Sequence, residues 1–200
     1  MRQKLMVILL VVGVGAAVAG CAAPPQADID AATAAIQKAS SAGATEYAAD
    51  SLKAAQDAQA ALEAELKVQA DKFSMFRSYT KATELAAAAK AAGDKAEQDA
   101  MAGKEQAKNE ASTLIEEAKA MLVQAQEMLA KAPKGKGTQA DLEALKADLA
   151  GAEATIGEAE SAFAAERYLD AKAKAEASKT ASGTVTAAVE AAIAARSGRG

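Results

Sequence analysis

Few side chains in this 200-residue chain are of a type that does chemistry. Cys21 is the sole thiol, so no disulfide can close within the chain, and its sulfur is the strongest nucleophile present. There is no histidine, which removes imidazole acid–base catalysis and histidine-ligated metal. Ser78 stands three residues before Lys81, a spacing at which a helix could let the amine activate the hydroxyl, and Lys179-Thr180-Ala181 offers a companion lysine. Acyl transfer by that arrangement needs an α/β scaffold to converge its parts, and no strand pattern occurs here. Gly135-Lys136-Gly137-Thr138 has the lysine and threonine of a phosphate-cradling loop but lacks the upstream glycine and preceding strand, so it reads as a basic linker. Glu116-Glu117 and the Asp28/Asp30 pair read as solvated helix surface. Tyr79 and Tyr168 lie beside small residues at helical spacing and read as core fillers. The expectation is a protein without catalytic residues, cofactor or metal.

The position of Cys21 is more telling than its chemistry. Met1-Arg2-Gln3-Lys4 is a short basic stretch, and Leu5 to Val18 is an apolar run interrupted only by Gly13 and Gly15. About 14 residues cannot cross ~30 Å of hydrocarbon as a stable helix, but they suit the apolar part of a signal peptide. Val18-Ala19-Gly20-Cys21 follows and resembles the lipobox of bacterial lipoproteins: aliphatic, small, Gly or Ala, then Cys. That resemblance implies lipidation at Cys21, cleavage of residues 1–20 before it, and a membrane anchor through acyl chains. It also implies a tether over residues 21–26, stiffened by Pro24-Pro25. Ala22, where a sorting aspartate would retain the protein in the inner membrane, favours the periplasmic face of the outer membrane, with the inner membrane as the alternative. Removing residues 1–20 takes Arg2 and Lys4 away and moves the formal charge from −4 to −6. An acidic chain is not expected to bind nucleic acid.

Positioning falls to helices. About 60 alanines make up about 30% of the chain, whereas Leu, Ile, Val and Phe reach only about 16%. So few large apolar groups would suggest disorder, but alanine is the best helix former and loses no side-chain entropy on ordering. Charges of both signs interleave, as on solvated helix faces. The first helix is expected from Ala27 to Ser41, stopped by Gly43. Thr45 is the expected N-cap of the second, whose stripe is Leu52, Ala55, Gln59, Leu62, Leu66, Gln69 and Phe73. A bend over Ser74 to Arg77 then reverses the chain.

From Tyr79 a third helix carries Ala82, Ala86, Ala89, Gly93, Ala96, Ala100, Gly103 and Ala107 on one stripe, continuing through Ala111, Leu114, Ala118, Met121, Ala125, Met128 and Ala132. Because Gly93 and Gly103 fall on the stripe, one helix to Lys131 is expected, with the glycines admitting a neighbouring backbone, and a kink or break near Gly93-Asp94 is the alternative. A loop over Pro133 to Gly137 and a capping pair Thr138/Asp141 lead to Leu142, Leu145, Leu149, Ala152, Ile156, Ala159 and Phe163. After a turn at Ala164-Ala165-Glu166, the last helix carries Tyr168, Ala171, Ala175, Ser178, Ser182, Val185 and Val189. The scarce large residues, among them Leu62, Phe73, Phe76 and Phe163, are expected in the core, and full burial of Phe163 would make Phe163→Ala cost roughly 3–5 kcal/mol.

The helices repeat. Ile29-x2-Ala32-x3-Ile36-x2-Ala39 is echoed by Ile115-x2-Ala118-x3-Leu122-x2-Ala125, and Phe73 precedes Tyr79 much as Phe163 precedes Tyr168. The expected fold is all-α: an elongated antiparallel bundle of two units, residues 27–111 and 112–197, sharing one long central helix. Gly43-Ala44-x2-Tyr47-Ala48-x3-Leu52-x2-Ala55, with Tyr79-x2-Ala82-x2-Leu85-Ala86, resembles the alanine-rich envelope domain-of-unknown-function family four-three-nine-eight, whose members are commonly lipoproteins. The expected role is a lipid-anchored, non-enzymatic spacer or scaffold of the cell envelope. An envelope protein or peptidoglycan is the expected partner, and the alanine stripes offer a route to self-association. A covalent peptidoglycan link through a C-terminal lysine is not expected, because the chain ends Arg199-Gly200. The alternative is a TPR-like adaptor that binds a protein or peptide in the periplasm.

Overall fold

A computed structural model of the chain describes residues 23–133 and 139–197. Val18, Ala19, Gly20, Cys21, the Lys134–Gly137 linker and Thr138 lie outside the described residues. All regular elements among the described residues are helical: α1 (Gln26–Ser41), α2 (Ala44–Tyr47), α3 (Ala49–Ala70), a 3₁₀ turn (Ser74–Phe76), α4 (Thr80–Ala130), α5 (Gln139–Ala164) and α6 (Tyr168–Ser197). The chain is an all-α helical bundle in which α4 is the long central helix. It divides into two compact units between Met101 and Ala102, within α4.

The first unit packs α1, α3 and the first part of α4. Ile29 joins the Leu62, Ala82 and Ala86 cluster, whereas Ile36 joins Leu52, Ala55, Ala96 and Ala100. Those two levels make α1 run parallel to α4, with α3 antiparallel to both. Close approach is what the small residues provide. A Cβ at Gly93 would stand 2.9 Å from the Ala35 carbonyl carbon and 2.9 Å from the Ile36 nitrogen, so α1 lies directly on the glycine. Gly43 ends α1 with a φ of 89°, where a non-glycine residue would be strained. Thr45 is not the N-cap expected of it. Helical winding resumes at once as α2, the Tyr47 ring closes over Gly43, and α3 starts only after Ala48 breaks the winding at φ −151°.

In the second unit, α4 from Ala102, α5 and α6 share a core of Ile115, Ala118, Leu122, Ala125, Leu149, Ala152, Ile156, Ala159, Ala175 and Val185. All seven residues of the expected α6 stripe are buried. On this part of α4 Ala111, Ala118 and Ala125 are buried as expected, but the large buried residues are Ile115 and Leu122, with the expected Leu114 and Met121 only half-buried beside them. Ser178 Oγ donates to the Ala152 carbonyl at 2.7 Å, tying α6 to α5, whereas the buried Ser182 Oγ has no partner among the described residues. The α5–α6 turn contains no glycine, and Glu166 takes the left-handed position at φ 58° instead, with Arg167 N–H donating back to the Ala162 carbonyl at 2.9 Å.

Phe163 is half-buried and meets Tyr168 edge to face, ring centroids 5.2 Å apart. Partial burial lowers the expected cost of Phe163→Ala to about 2 kcal/mol, because part of the ring is already in water. A urea titration followed by circular dichroism would check this, and a loss of roughly 3–5 kcal/mol, as for full burial, would contradict it.

Candidate functional site

The motifs with catalytic spacing are not assembled. Ser78 is exposed, its N–H donates to Gln69 Oε1 at 3.1 Å, and its hydroxyl lies 3.5 Å from that of Thr80. Lys81 instead reaches Glu65 at 3.3 Å, so its amine is engaged by a carboxylate and not by the serine. Lys119 bonds Glu116 and Lys179 bonds Glu117, so the two adjacent carboxylates serve separate lysines. Asp30 accepts from Gln26 on its own helix. Tyr168 is core, with Lys104 Nζ 5.9 Å from its ring centroid, and Tyr79 packs half-buried against the Leu62 cluster. Among the described residues no three acidic side chains converge as a metal would require, and no helix is long and apolar enough to cross a membrane.

Two features of the surface were not foreseen from the sequence. The first is a ladder of ion pairs along α4 and α6. Lys104–Glu166, Glu110–Lys172 and Glu117–Lys179 each join residues 62 positions apart, so the two helices run parallel in one register. Lys119–Glu160 and Lys174–Glu158, both at 2.7 Å, bind α5 to its two neighbours. Hydrogen bonds from the paired lysines hold Glu110, Glu158 and Glu166 below the usual carboxylate range, and the reciprocal bonds push Lys119, Lys174 and Lys179 up. A depressed carboxylate contributes stability above its unfolded value, near 4.5, and loses it as pH falls through the folded value. Melting temperature should therefore hold level from about pH 5 to pH 9 and drop on further acidification, with Glu110→Gln flattening the acid limb. An acid limb identical in the variant would remove the ladder as its cause.

The second feature is the tip between α3 and α4. The stripe assigned Phe73 to the core and Phe76 joined the expected core residues, yet Phe73 is 82% exposed and Phe76 69%, with Met75 at 81% and Val68 at 52%. The reason is that α3 ends at Ala70, before its periodicity would carry Phe73 inward. The tip is held by polar bonds: Arg77 donates to the Ala70 and Lys72 carbonyls at 2.9 and 3.0 Å, and Gln69 Oε1 accepts from both Lys72 and the Ser78 N–H. Gln69 Nε2 in turn bonds Glu65, whose carboxyl is lowered by that bond first and by Lys81 after it. A braced backbone thus presents two of the three phenylalanines in the chain to water. Full burial of each would stabilise by about 1.5–3 kcal/mol, so leaving both outside is a considerable concession in a chain so short of large apolar groups.

No family model, curated protein or solved structure matches the chain. The functional reading rests on its own residues.

Proposed function

We propose that the chain is a lipid-anchored, non-enzymatic lipoprotein of the bacterial cell envelope, whose helical units act as a spacer or scaffold at the periplasmic face of the outer membrane. The observation that carries this reading is Val18-Ala19-Gly20-Cys21, set directly after a basic start and an apolar run of signal-peptide length. Its supports are the single cysteine, the prolines at 24 and 25 between that cysteine and α1, and a helical surface whose candidate catalytic groups are paired elsewhere. Several acyl chains on Cys21 hold a protein far more firmly than one, since each buried CH₂ contributes about 0.8 kcal/mol.

Growth with radioactive palmitate tests the reading. The wild-type chain should take up label and sediment with membranes, and Cys21→Ala should take up none. Equal labelling of the two, or an unlabelled wild type, would refute the anchor.

A further inference from the structure

We propose that the α3–α4 tip, Phe73-Ser74-Met75-Phe76, is a second membrane contact that enters the lipid interface beside the acylated N-terminus. The inference rests on the anchor reading for its setting, but its argument comes from the fold. Because α1 runs parallel to α4, the start of α1 and the tip preceding α4 lie at the same end of the first unit. Ile29 sits at the level of Leu62, Ala82 and Ala86, and Pro25 is one helical turn before it. Cys21 is four residues upstream of Pro25, a reach of at most about 14 Å of extended chain. An acyl anchor on that cysteine therefore keeps this end of the unit within reach of the bilayer.

The chemistry of the tip suits that occupant. Three large apolar side chains, Phe73, Met75 and Phe76, stand exposed on a braced loop. Lys67, Lys72, Arg77 and Lys81 flank them against two carboxylates, Asp71 and the Glu65 that pairs with Lys81, which leaves the rim cationic in a chain whose net charge is −4. An apolar tip rimmed by cations is the composition that settles at the headgroup boundary, with rings about 5–10 Å deep and cations among lipid phosphates. A protein partner could cover the apolar groups, but it would not explain their placement at the end from which the chain leads to Cys21.

The chain has no tryptophan, so Phe76→Trp introduces a sole indole at the tip, and Met75→Trp does so one position earlier. Both sites are mostly exposed, so the fold should tolerate the change, and an unchanged circular dichroism melt verifies that. The full-length protein, purified from membranes, is reconstituted into phosphatidylethanolamine–phosphatidylglycerol vesicles carrying bromine on the acyl chains. The expected result is a blue-shifted emission quenched about twofold relative to unbrominated vesicles, as for a ring at interfacial depth. Water-like, unquenched emission from both variants overturns the inference, whatever Cys21 carries. The mass of the N-terminal residue of the same sample reports the anchor separately. An acylated cysteine with an unquenched indole removes the tip contact alone, whereas a quenched indole on an unacylated chain sustains the contact and removes the anchor.

Discussion

Leu62→Ala should lower the unfolding free energy by about 2–5 kcal/mol, toward the upper half of that range. Leu62 is 1% exposed and is the largest fully buried side chain among the described residues. Its neighbours explain the severity. Ala82 and Ala86 face it from α4, and a methyl group cannot reach across to fill the space a leucine vacates. Ile29, Leu66, Tyr79 and Leu85 surround the site only partly buried, so they would have to abandon their own packing to collapse into it. Cavity cost therefore adds to the lost transfer energy in full. The reading comes from urea unfolding followed by circular dichroism, with Leu66→Ala, half-buried on the same helix, as comparison. Equal losses for the two would mean that burial at Leu62 does not decide the first unit's stability.

How much of this was legible in sequence depends on the range of the interaction. The α6 stripe was fully legible because seven buried positions repeat at three- and four-residue steps within one helix. The extent of α4 was legible for the same reason: helix to Lys131 was expected and helix to Ala130 is observed. Ends set by tertiary or turn geometry were harder. Thr45 had the side chain of an N-cap, but local winding over Ala44–Tyr47 took precedence. Phe73 was in phase with the α3 stripe, and only the early end of the helix at Ala70 turns it outward. The ladder left a trace that could have been read: Lys104, Glu110 and Glu117 carry the opposite charges to Glu166, Lys172 and Lys179 at matching intervals. Using it required knowing that α4 and α6 are parallel neighbours, which no local pattern states. The Cys21 motif lies outside the described residues, so the candidate anchor is a matter of sequence grammar alone.

Gly93→Ala should destabilise the protein even though alanine is the better helix former. In an exposed helix interior the exchange gains about 1 kcal/mol, and Gly151→Ala or Gly157→Ala on α5, where an added methyl meets nothing within 4 Å, should deliver that gain. At position 93 the new Cβ would stand 2.9 Å from backbone atoms of Ala35 and Ile36. Backbone cannot rotate aside as a side-chain tip can, so α1 must move off α4. That shift loosens Ala32, Ala35 and Ala39, each buried at an approach tuned to small groups. Overpacking costs about 1–3 kcal/mol and more as the side chain grows, so the alanine variant should lose roughly 1 kcal/mol net and Gly93→Leu at least ~3. The sign is the decisive quantity. A stabilised Gly93→Ala would mean that α1 rides loosely over the glycine, and that close backbone approach is not what lets this alanine-rich chain hold a core. The α5 variants guard against misreading, because they carry the same propensity change without the collision.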